Sequence, residues 1–115
     1  MMDSIKGIVM SRYAVSDTCI DKSRSAVAYE ARNVYTYLLY TTGQKQTRTS
    51  LALQMGLSYS AIKNRIRWVE QKMGSDDGFA KSVRQMRDGI IHKYRMGVFR
   101  KELRIRYEKA CGEYL

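Results

Sequence analysis

The chain has no proline, two cysteines, one histidine and one tryptophan in 115 residues. A β-sandwich draws on proline for its many turns, so its absence argues for a helical bundle punctuated by glycine alone. Cys19 and Cys111 match no disulfide framework and no zinc spacing. With His92 the only histidine, a metal site built from His and Cys is not expected, and no cofactor is implied. No stretch approaches the roughly 18 apolar residues of a membrane span. Met1–Ser16 has too short an apolar run and too little charge for a secretory signal. A protein of the reducing cytoplasm, with no membrane partner, is expected.

Acid is also scarce. Eleven Asp and Glu stand against 21 Lys and Arg, for a net charge of +10, which points to a polyanionic partner without distinguishing DNA, RNA and acidic membrane. Apolar residues at 44% and charged residues at 28% are those of a folded domain, not of a disordered basic tail. The length allows one domain with a single core of about three to five helices. It is too short for a motor ATPase or a dinucleotide enzyme with its substrate domain.

Along the chain, Ile5, Ile8 and Val9 predict a first helix over Asp3–Arg12. A polar stretch follows from Ser16 to Ser25, with a short helical turn expected around Asp17–Ile20. Val27, Ala31, Val34, Leu38 and Thr41 predict a long helix ending before Gly43. After a polar connector, Gln44–Arg48, either Thr49 or Ser50 is expected to cap a short helix that ends at Met55. Ser58 is expected to cap the next, Tyr59 to about Lys72, on the stripe Ile62, Ile66, Val69 and Met73. Gly74–Gly78 reads as a turn, and Phe79, Val83, Met86, Ile90 and Tyr94 continue as a further helix whose first turn the acids Asp76 and Asp77 would favour. Beyond Gly97, Phe99, Leu103, Tyr107 and Ala110 suit an amphipathic helix, although Leu103, Ile105 and Tyr107 also alternate as in a strand. The expected architecture is an all-α bundle: a domain over residues 1–88 and a helical extension over 89–115. That extension either packs back on the domain or joins two copies as a homodimer.

The informative stretch runs from Leu51 to Ile66 and has the grammar of a helix-turn-helix. Ala52 is small where two helices cross, and Gly56, four residues on, suits a left-handed turn. Met55 and Leu57 would pack beneath the turn. With Ile62, Ile66 and Val69 inward, the second helix presents Tyr59, Ser60, Lys63, Asn64, Arg67 and Gln71 outward. Such a face fits the major groove of double-stranded DNA, where Asn and Arg read base edges and Ser or Tyr meets phosphate or base. Ser58 sits with Tyr59 and Ser60 at the N-terminus, where backbone N–H groups favour a phosphate. Many charged helix faces serve only solvation; this one holds no acid before Glu70. The charge is concentrated on the same region: Lys22–Lys72 carries nine bases, among them Arg24, Arg32, Lys45 and Arg48, against Glu30 and Glu70, a net +7.

From about Ile5 to Met86 the chain resembles the C-terminal DNA-binding domain of the bacterial replication initiator DnaA. The resemblance lies in the order of parts: the first helix, the loop Asp21–Ser25, the helix opening Ala31-Arg32-Asn33-Val34, the helix-turn-helix ending Ile66-Arg67-Trp68-Val69-Glu70, and a helix from near Asp77-Gly78-Phe79. It implies that Arg24 probes the minor groove and that Arg32 contacts DNA. The family's Arg-Asp-His-Thr-Thr signature is replaced here by Leu57-Ser58-Tyr59-Ser60-Ala61, so recognition of the standard initiator box is not implied. Met55–Asn64 is closer to the helix-turn-helix of sigma factors and response regulators. No phosphate loop of the initiator's ATPase occurs. The implied protein is a stand-alone, nucleoid-associated DNA reader, acting in replication initiation or transcription regulation.

An enzyme is not expected. Tyr94, His92, Arg95 and Arg100 offer the residue types of a tyrosine recombinase but point in several directions on a helix. Tyr29, Tyr35, Tyr37, Tyr40 and Trp68 read as packing residues rather than base-stacking ones.

Overall fold

The computed structural model describes residues 2–16, 24–42 and 47–93, and every element among them is an α-helix. They are α1 (Met2–Tyr13), α2 (Ala26–Thr42), α3 (Arg48–Met55), α4 (Tyr59–Ser75) and α5 (residues 77–93). The all-α bundle expected from the sequence is therefore the fold. The turn around Asp17–Ile20, the stop at Gly43, both cysteines, Tyr94 and the segment from Gly97 to Ala110 lie outside the described residues.

α2 is the central element, packed against α1, α3 and α4. Neighbours on several sides bury every residue from Asn33 to Leu39. A helix so enclosed cannot show a single stripe, and the predicted stripe is wrong at both ends. Val27 is half exposed and Thr41 is exposed, while Ala28, Ala31, Val34 and Leu38 are fully buried. Ser25 starts the helix by accepting from Ala28 N at 3.2 Å. Against α2 lie Ile5 and Val9 of α1, Leu51 and Ala52 of α3, and Ile62, Ile66 and Val69 of α4. Phe79, Val83, Met86 and Ile90 of α5 complete the same core. Arg12 joins α1 to α5 through Ser82 Oγ at 3.1 Å and Gln85 Oε1 at 3.2 Å. Within the core, Asn33 is buried with its Nδ2 unpaired.

The helix caps correct two boundaries. α3 is capped by Thr47, not Thr49 or Ser50: Thr47 has extended backbone and accepts from Ser50 N at 3.0 Å. Arg48 therefore lies in the first turn of α3 rather than in a connector. α4 does not stop near Lys72 but continues through Gly74 to Ser75. The expected five-residue turn shrinks to Asp76, whose N–H closes α4 on Lys72 O at 2.8 Å. Its carboxylate opens α5 by accepting from Phe79 N at 3.0 Å.

Candidate nucleic-acid interface

The α3–α4 turn is built by two local devices. Gly56 adopts φ 65°, and its N–H and that of Leu57 reach back to Leu53 O and Ala52 O at 3.4 and 3.0 Å. This bond pair is a Schellman cap, which needs a left-handed residue at the position of Gly56. Met55 and Leu57 are part-buried against the core beneath it, as the sequence predicts. Ser58 then caps α4, accepting from Ala61 N at 3.1 Å. One lone pair of its hydroxyl is thus committed to the helix start, and its proton is not.

With Ile62, Ile66 and Val69 buried, α4 exposes Ser60, Lys63, Asn64, Arg67 and Gln71, and Tyr59 is half exposed. Ser60, Asn64, Arg67 and Gln71 follow the helical repeat and form the centre of that face. Tyr59 and Lys63 lie on its α3 side. The six outward residues predicted from the sequence are therefore all at the surface of one helix.

The flanking bases are placed differently. Arg48 holds its guanidinium 5.5 Å from the Tyr40 ring centroid and bonds the Tyr59 hydroxyl, which raises its already high pKa further. It is a strut between α2, α3 and the start of α4, and its Nε–H is covered without a partner. Arg24 is exposed just before α2. Arg32 is part-buried on α2, close enough to Arg65 of α4 to depress that residue's pKa. Lys45 lies outside the described residues.

Arg65 is the residue that sequence reasoning missed. It is half-buried on the α2 side of α4 and donates from Nη1 to Thr36 Oγ1 at 3.2 Å. The available signal was position: Arg65 follows Ile62 by three and precedes Ile66 by one, at the edge of the apolar stripe, where a helix pressed on α2 would ordinarily carry a small or apolar residue.

Two turns further along the same flank, Lys72 is neutralised by Glu30 at 2.5 Å and lies over the rings of Trp68 and Phe79. Trp68 meets Tyr29 and Phe79 edge to face, with centroids 5.7 and 6.0 Å apart. Trp68 is a packing residue. Compared with known proteins, the chain matches no family model, no curated protein and no solved structure. No described helix is long and apolar enough to cross a membrane, and no cluster of metal-ligating side chains occurs among the described residues.

Proposed function

We propose that the protein binds double-stranded DNA sequence-specifically, with α4 in the major groove and Arg24 reaching the adjacent minor groove. It acts as a replication-initiator-like or regulatory DNA-binding protein. The observation that carries this reading is the outer face of α4: Ser60, Lys63, Asn64, Arg67 and Gln71 exposed together behind a tight capped turn. Asn and Arg on such a face match the donor and acceptor patterns of adenine and guanine edges. The half-site footprint is that of one helix entering by its N-terminal end. Neutralised phosphates would release counterions, so affinity should fall steeply as salt rises.

The test is selection of bound sequences from a random duplex pool, followed by mobility shift at several salt concentrations. An enriched motif a few base pairs long, bound more tightly than shuffled duplex, is the expected result. No retention of any duplex at low salt would end the reading.

A further inference from the structure

We propose that Arg65, with Arg32 and Thr36 beside it, forms a seat for a backbone phosphate on the α2 flank of α4, separate from the base-reading face. The proposal rests on the DNA reading above and adds a binding site to it. Arg65 Nη1 donates to Thr36 Oγ1 at 3.2 Å, and that hydroxyl donates in turn to Arg32 O at 2.9 Å. The threonine proton is thereby directed into α2, leaving a lone pair toward the guanidinium. Arg65 is pinned across the α2–α4 junction through one nitrogen of its fork.

The charge environment is one that a phosphate would relieve. Burial and the like charge of Arg32 both lower the Arg65 pKa. No carboxylate of the described residues contributes. The contrast with Lys72 on the same flank is direct, because Lys72 has Glu30. A planar guanidinium fixed by one hydrogen bond presents paired donors suited to two phosphate oxygens. For stability alone an apolar side chain of similar length would serve that position better.

The experiment compares the full chain with Arg65→Met and Arg65→Gln, measuring duplex affinity over a salt series and the melting temperature of each free protein. Arg65→Gln keeps a donor for Thr36 without the charge, so it carries the test should the Met variant fail to fold. Both variants should show a log–log salt slope shallower by about 0.9. Binding at 0.1 M salt should weaken about eightfold, equally on preferred and random duplexes. Arg65→Met should melt at or above the wild-type temperature. An unchanged slope, a loss confined to the preferred sequence, or a large fall in Tm for both variants would overturn the phosphate seat while leaving wild-type DNA binding intact. Failure of the wild type to bind any duplex would overturn both proposals together.

Discussion

Lys72 Nζ stands 2.5 Å from Glu30 Oε1, joining α4 to α2, and lies 5.2 and 5.0 Å from the ring centroids of Trp68 and Phe79. Glu30 also accepts the Tyr13 hydroxyl from α1. The carboxylate is therefore the shared partner of two helices, whereas the ammonium has aromatic faces to fall back on. Lys72→Met, which keeps most of the stem, should cost about 1 kcal/mol for a part-exposed pair. Glu30→Ala strands both partners and should cost about 2 kcal/mol. Urea unfolding of the two variants gives the order. A larger loss in the lysine variant would mean that the ring contacts outweigh the ion pair.

The same cluster predicts a pH dependence. Burial raises the Tyr13 pKa well above the usual tyrosine value, and the Glu30 hydrogen bond and negative charge add to the rise. The folded state thus holds this proton more tightly than the unfolded chain. The stability so gained is complete below about pH 10 and is lost as pH climbs through the raised value. Partial solvent exposure limits its size. Ultraviolet titration of phenolate should show one tyrosine ionising well after the exposed ones, and Tyr13→Phe should abolish that late step.

Glycine substitutions should act with opposite signs at two positions. A Cβ at Gly56 meets no atom within 4 Å, but the backbone there has φ +65°. Gly56→Ala should therefore lose about 1 kcal/mol through conformation alone, and Gly56→Asn less. Gly74 is exposed inside α4, also with open space around it. Gly74→Ala should gain about 0.5–1 kcal/mol. Thermal melts of the pair, moving in opposite directions, are the expected outcome.

Much of the architecture is legible in the sequence. Periodicity in Ile62, Ile66 and Val69 was strong because α4 has one buried side, and its outward residues followed by subtraction. α2 was legible as a helix but not in its exposure pattern, since three neighbours erase a stripe. The cap at Thr47 was missed because Thr49 and Ser50 carry equally suitable hydroxyls, and only the extended backbone of Thr47 selects among them. Arg48 and Arg65 escaped for another reason. Their roles depend on Tyr40, Tyr59 and Thr36, which lie on other helices; local spacing places Arg65 at the edge of the stripe but does not name its partner.

Ser58 separates folding from binding on a single residue. Its hydroxyl caps α4 at 3.1 Å from Ala61 N, so Ser58→Ala should cost about 1 kcal/mol of stability. Ser58→Asp retains the cap but sets a negative charge at the helix end proposed to face DNA. It should melt like the wild type while binding duplex more weakly, with the deficit growing at low salt. Mobility shifts beside melting curves would detect a cap-only role, in which the aspartate variant binds normally.

On the proposed DNA face, Asn64→Ala and Arg67→Ala should each cost about 1–3 kcal/mol of binding and relax preference at one base position. Competition between matched and singly altered duplexes measures this. Equal loss on every sequence would instead make those side chains phosphate contacts.

The uninterrupted course of α4 through Gly74 gives the helix 17 residues, about 25 Å of rod. It is seated along its whole length: Ile62 and Ile66 fix its first half in the core, and Val69, the Lys72–Glu30 pair and the Trp68–Phe79 contact fix its second. A load on Asn64 and Arg67 of the proposed DNA face would pass through Ile62, Ile66 and Val69 into the core and through Trp68 into α5, so that face can be stiff without any support from its outer side.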